Sequence, residues 1–113
     1  MKIGIDLLEI ERIKTDEKFL NRIFTPCEIE YVNKFENKKE HIAGIFCAKE
    51  AVFKALDLPV LNHKEIIIKH NENNRPFVVF EGKTKDFFER TYNEIDISIT
   101  HTSSLAQAIC LIN

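Results

Sequence analysis

A chain of 113 residues, 44% hydrophobic and 30% charged, suits one small domain and is too mixed to be disordered, collagenous or low in complexity. Its apolar runs stop at five residues, far short of the roughly 20 that a membrane span needs. The formal net charge of −2 argues against a general polyanion binder, so neither nucleic acid nor a membrane is an expected partner, and an acidic partner would need a local basic patch.

The chain opens MKIGIDLLEIERIK, and Asp6 and Glu9 interrupt its apolar stretch, so it does not read as a signal peptide. Three cysteines, none in a CxxC pair, argue against a disulfide framework and a structural zinc site. Residues 1–113 are read as a single cytoplasmic domain. Only three glycines occur, Gly4, Gly44 and Gly82, which removes Rossmann and P-loop fingerprints. Phosphate chemistry in such a chain would rest on metal and cationic side chains.

Residues 2–9 predict a strand, with Ile3, Ile5 and Leu7 on one face and Gly4, Asp6 and Leu8 on the other. Residues 11–23 predict a helix in which Lys14, Lys18 and Arg22 recur every four residues. Thr25-Pro26-Cys27-Glu28 is a helix start with a capping box, for a helix running to about Asn37. The charged stretch 36–40 predicts a break, followed by a strong helix over 41–56 and a loop containing Pro59 and Asn62. Residues 65–70 and 76–81 predict a hairpin, 82–92 a short helix, and 95–101 with 105–112 a last pair of strands. The order β-α-α-α-β-β-α-β-β implies an α+β fold with a mostly antiparallel sheet packed with helices.

On a helical wheel, residues 45–56 are apolar over most of the circumference, as in a helix buried on several sides. Glu50 and Lys54 share one face. They form either a surface ion pair worth about 0.2–0.5 kcal/mol or the wall of a cleft, where a carboxylate holds a divalent cation and an ammonium meets its anion. Lys49 falls within the apolar arc, where it either snorkels past the core or reaches a buried anion. Asp6 is either solvated or set on a packed face, with Gly4 leaving open space two residues away. His101 ends the apolar face of its strand, as a hydrogen-bonded rim residue or, with Thr100 and Thr102, as a phosphate grip. Ser103 and Ser104 lie too close to His101 in sequence to presume a triad, and no nucleophile elbow is present. His41, His63 and His70 are too scattered to read as a metal site, and Cys27 is treated as incidental.

Three segments in order carry a more specific signal. Ile3-Gly4-Ile5-Asp6-Leu7-Leu8-Glu9-Ile10 with Arg12-Ile13 resembles the GID-x-x-E-I-x-R-I opening of holo-acyl-carrier-protein synthases. Phe46 to Leu56, FCAKEAVFKAL, resembles their F-x-A-K-E-A-x-x-K-A helix. Ile97-Ser98-Ile99-Thr100-His101-Thr102 resembles their closing S-I-[ST]-H-T, and Ile23-Phe24-Thr25 with Glu28 fits a minor motif.

The resemblance spans essentially the whole chain. It implies a magnesium-dependent transferase that moves the 4′-phosphopantetheine arm of coenzyme A onto a serine of an acyl carrier protein, in support of fatty acid biosynthesis. It further implies Asp6 and Glu50 as magnesium ligands and Lys54 at the leaving phosphate. Lys49, Lys54, His101 and Thr102 would lie near coenzyme A, in a homotrimer with interfacial active sites. Arg12, Lys14, Lys18 and Arg22 would form the basic stripe that docks the acidic carrier protein. No side chain is assigned as the general base.

The sequence departs from the family pattern at Asp57-Leu58-Pro59, where a glycine-rich turn is usual, at Ile45, where arginine is common, and at Asn74-Arg75-Pro76, where Gly-x-Pro is common. A silent binding module and a magnesium-dependent phosphohydrolase are the competing readings.

Overall fold

The computed structural model describes residues 1–58 and 62–113. Pro59, and with it part of the loop expected after the long helix, lies outside the described residues. Strand β1 (Lys2–Glu9) is followed by a 3-10 turn at Ile10–Arg12, then α1 (Glu17–Ile23), α2 (Pro26–Val32) and α3 (Lys38–Leu56). A second 3-10 turn (His63–Glu65) leads into β2 (Ile66–His70), β3 (Pro76–Phe80), α4 (Gly82–Thr91), β4 (Ile95–His101) and β5 (Leu105–Ile112). The fold is α+β in the expected order. Its sheets are antiparallel, one of three strands ordered β1-β5-β4 and one formed by the β2-β3 pair.

Strand β5 pairs on both sides, with Asp6 opposite Ala108 and Ile99 opposite the same residue. Helix α3 packs on the inner face of this sheet. The contact is tight because both surfaces are built from small residues. Ala48, Ala51 and Ala55 are buried on the helix, and Ala106, Ala108 and Cys110 are buried on β5.

At Gly4 the approach is closest. A Cβ there would run into the Ala51 carbonyl and stand 2.7 Å from the Ala55 nitrogen. The space expected beside Asp6 is thus filled by helix backbone, and Gly4 serves close packing. The inward face of β1 is the Gly4, Asp6, Leu8 face. Ile3, Ile5 and Leu7 point outward with Leu105, Ile109 and Leu111 of β5, each 39–64% exposed.

Three boundaries differ from expectation for local reasons. Helix α1 starts at Glu17 because the Asp16 side chain caps it, accepting from Phe19 N at 3.2 Å. Helix α2 ends at Val32, and α3 already begins at Lys38, after Asn37. The charged stretch therefore opens the long helix. Asn37 Nδ2 donates to Glu40 Oε2 at 2.9 Å.

Two departures from family glycines are absorbed by the backbone. Asp57 ends α3 in the left-handed conformation at φ 56°, and Asn74 holds φ 63° in the β2-β3 turn. Asp and Asn are the non-glycine residues that best tolerate that region. Asn74 is also held from outside, since Tyr31 Oη donates to its Oδ1 at 3.0 Å.

The deepest polar contact joins α2, α3 and β2. Lys49 and Glu28 are fully buried and meet at 2.7 Å. Glu28 Oε1 also accepts from Thr25 N at 2.8 Å, and its Oε2 accepts from Ile68 N at 2.8 Å. Lys49 Nζ donates further to the carbonyls of Ile23 (2.8 Å) and His63 (3.0 Å). Burial holds the Lys49 ammonium below its ordinary pKa, against the opposing pull of Glu28.

Glu28→Gln should therefore lower stability by about 3–5 kcal/mol, since it leaves one buried charge uncompensated. The double change Glu28→Leu with Lys49→Met should not recover that loss, since it strands the Thr25 and Ile68 N–H groups and the Ile23 and His63 carbonyls. Urea unfolding midpoints check both. A single-variant cost below about 1 kcal/mol would mean that the pair is effectively solvated.

Candidate active site

Helix α3 presents Cys47, Glu50 and Lys54 at spacings of three and four, which stacks them along one side. Strand β1 brings Asp6 against that side. Lys54 Nζ meets Asp6 Oδ1 at 3.2 Å and donates to the Ile5 carbonyl at 2.9 Å. Burial, then the Asp6 carboxylate and a lesser contribution from Glu50, push the Cys47 thiol up to about 12. It lies on the helix side that faces the two acids, and its Sγ donates to the Ala106 carbonyl at 3.6 Å. Glu50 Oε1 accepts from His63 Nε2 at 2.9 Å.

Asp6, Glu50 and Lys54 thus line one seam between β1 and α3. The seam sets two carboxylates beside an ammonium, and carboxylate oxygens are the donors that a hard divalent cation prefers. Among the described residues no group of three or more His, Cys, Asp or Glu side chains is arranged to hold a metal.

The other expected residues lie elsewhere. Lys49 shows no exposed surface and spends its donors on Glu28 and two carbonyls, so it has none for a coenzyme A phosphate. Of the two readings left open by its place in the apolar arc, the buried anion is the one observed. His101 Nδ1 pairs with Glu40 Oε2 at 3.2 Å, near the start of α3. Glu40 and Glu50 are ten residues apart on that helix, or about 15 Å at ~1.5 Å per residue. Thr102 holds the β4-β5 corner, its Oγ1 accepting from Leu105 N at 3.0 Å and Ser104 N at 3.2 Å.

The basic stripe is interrupted. Lys18 and Arg22 share an exposed face of α1, but Lys14 precedes the helix, and Arg12 sits in the 3-10 turn paired with Glu9 at 3.5 Å. The Asp16 cap is the cause, because it starts the helix at Glu17, three residues after Lys14.

His63 and Glu28 are the residues that sequence reasoning placed least well. His63 lies in a 3-10 turn that only the folded chain brings to Glu50. Glu28 was visible as a capping-box residue, and a lysine within an apolar arc was a sign that a buried anion was needed.

The fold and the seam define a small α+β protein in which two carboxylates and a lysine meet between a strand and a helix. Comparison with known proteins makes this specific. A profile of the 4′-phosphopantetheinyl transferase superfamily matches residues 2–110. The chain is 42% identical over 116 residues to the holo-[acyl-carrier-protein] synthase of Caldanaerobacter subterraneus subsp. tengcongensis, covering 96% of this chain and 91% of that one. It is 40% identical over 111 residues to the synthase of a Thermoanaerobacter strain, covering 92% and 80%. The Helicobacter pylori holo-[acyl-carrier-protein] synthase, solved in complex with coenzyme A, superposes with a TM-score of 0.87 at 31% identity over 98% of this chain and 99% of that one. The chain belongs to the 4′-phosphopantetheinyl transferase superfamily.

Beyond the seam, Tyr31 and His70 stack at 3.7 Å and 4°, and Phe35 and His41 stack at 3.7 Å and 18°. Burial, then the charge of His41, lowers the His70 pKa to about 4. Because this lies below the ordinary 6.5, the unfolded chain binds more protons between the two values. Stability should be full above pH 6.5 and decline as pH falls toward 4, in an amount reduced by the ring's partial exposure. His70→Phe keeps the stack on Tyr31 and should flatten that decline. An unchanged slope in urea unfolding across the window would assign it to other groups.

Proposed function

We propose that the chain transfers 4′-phosphopantetheine from coenzyme A to a serine of an apo acyl carrier protein, in the cytoplasm and in support of fatty acid biosynthesis. Residues 1–113 act as one transferase domain. The observation that carries this reading is the seam itself: Asp6, Glu50 and Lys54 occupy the matching motif positions and converge between β1 and α3.

The serine oxygen forms a bond to the β-phosphorus of coenzyme A as the pyrophosphate P–O bond breaks. Adenosine 3′,5′-bisphosphate leaves with the electron pair, and the serine proton passes to solvent. Asp6 and Glu50 are the residues that would hold Mg2+, and when bound the cation would neutralise charge on the pyrophosphate oxygens. The Lys54 ammonium reaches Asp6 from an exposed stem, so it can also offset charge building on the leaving phosphate.

His101 and Thr102 are assigned to contacts with coenzyme A from the β4-β5 corner. In one chain His101 pairs with Glu40, on a part of α3 distant from Glu50. A homotrimer with sites between subunits would bring such separated groups together. The outward face of Ile3, Ile5, Leu7, Leu105, Ile109 and Leu111 supplies an apolar surface for that contact. Arg12, Lys18 and Arg22, with Lys14 in the connecting loop, form the docking patch for the acidic carrier.

Mass spectrometry of apo carrier protein incubated with coenzyme A and Mg2+ tests the transfer. One phosphopantetheine should be added, and chelation should stop the reaction. Asp6→Asn or Glu50→Gln should abolish turnover in a folded protein. Lys54→Met should lower kcat by roughly 10²–10³-fold with the KM for coenzyme A little changed. Coenzyme A consumed without carrier protein would point instead to a phosphohydrolase.

Light scattering should give the mass of three chains. A stable, active monomer would refute the interfacial site.

A further inference from the structure

We propose that His63 is a positioning residue that fixes the Glu50 carboxylate for the cation, an inference that rests on the metal-dependent reading above. His63 Nε2 donates to Glu50 Oε1 at 2.9 Å. Among the described residues Glu50 Oε2 takes no protein hydrogen bond, so one oxygen is anchored and the other is left for the metal. Both the neutral Nε2–H tautomer and the imidazolium donate at that atom, so the contact does not depend on a change of protonation.

The ring is packed on two sides, and its backbone is held as well. It lies nearly parallel to Phe46 at 5.8 Å and 16°, and edge-on to Phe53 at 5.3 Å and 76°. Its own carbonyl accepts from the buried Lys49 ammonium at 3.0 Å. The side chain of Asn62 accepts from Lys64 N at 3.0 Å and so caps the 3-10 turn in which His63 sits. A donor fixed in this way spares Glu50 the rotamer freedom that a lone helix-surface glutamate would lose on binding metal.

The geometry also predicts which substitute works. Phenylalanine keeps the packing between Phe46 and Phe53 and removes the donor. Glutamine restores a donor without the aromatic packing.

The test measures Mn2+ binding by electron paramagnetic resonance, with coenzyme A present and carrier protein left out, so that no turnover occurs. His63→Phe should weaken Mn2+ by about 10–100-fold, the usual effect of losing a partner to a metal ligand. His63→Gln should recover most of the loss. In a Glu50→Gln background, His63→Phe should have no further effect. Mn2+ affinity unchanged in His63→Phe, or lowered equally in the Phe and Gln variants, would overturn the proposal. Should His63→Phe fail to fold, His63→Ala compared with His63→Gln gives the same contrast. If Glu50→Gln itself binds Mn2+ like the unaltered protein, the metal assignment of Glu50 fails. If Glu50→Gln loses Mn2+ while His63→Phe keeps it, only the role of His63 fails.

Discussion

The buried ion pair of Lys49 with Glu28 is the contact on which the arrangement of this molecule depends. Four segments meet on it: the cap of α2, the end of α1 at Ile23, the middle of β2 at Ile68 and the turn at His63. Taking two charges out of water is costly, and such pairs often add little net stability over a well-packed apolar core. Their effect is directional. An apolar contact would tolerate α2 sliding over α3, whereas a carboxylate that accepts from three separate elements does not. Because Lys49 and Glu50 are neighbours on α3, the element that is locked in place is also the one that carries the carboxylate.

The second constraint is steric. Asp6 reaches the side of Cys47 and Lys54 only because β1 lies almost against the α3 backbone. Alanines on α3 and β5 and the glycine on β1 set that separation. A larger residue at any of them would move the strand and the acid together, since interiors at crystal-like density transmit displacement. The same small-residue face leaves the large aliphatic side chains of β1 and β5 on the opposite side of the sheet. The close approach and the exposed apolar face are therefore two consequences of one alternation.

Much of this was legible in the sequence. The ranges of β1, β4 and β5 follow from simple alternation, and the α2 start follows from its capping box. The motif positions Asp6, Glu50 and Lys54 do converge. What misled was local chemistry that competes with periodicity. The basic residues at 14, 18 and 22 fit a helix by spacing, yet the Asp16 side chain sets a later start. For Asp6 the sequence left a solvated and a packed face open, and the packed one is observed, because close approach to a helix outweighs hydrophobicity at those positions. His63 could not be placed at all. It is close to Glu50 only because a loop folds back, and loop closure leaves no period in the sequence.

The two acids of the seam are each provided with a donor of their own, Lys54 for Asp6 and His63 for Glu50. Two carboxylates facing one seam repel, and the donors offset that repulsion while leaving oxygen surface available. The two donors differ in kind. Lys54 is a point charge on an exposed stem, bonded to Asp6 and to the Ile5 carbonyl. His63 is a ring packed between aromatic neighbours, with its backbone clamped by a buried ammonium, and it has nowhere to go. The donor on the Asp6 side of the seam is thus solvent-exposed and the donor on the Glu50 side is packed. On the metal-dependent reading proposed above, a cation in this seam would be held by one carboxylate whose donor is exposed and one whose donor is packed, so the two ligands would differ in how firmly they are oriented.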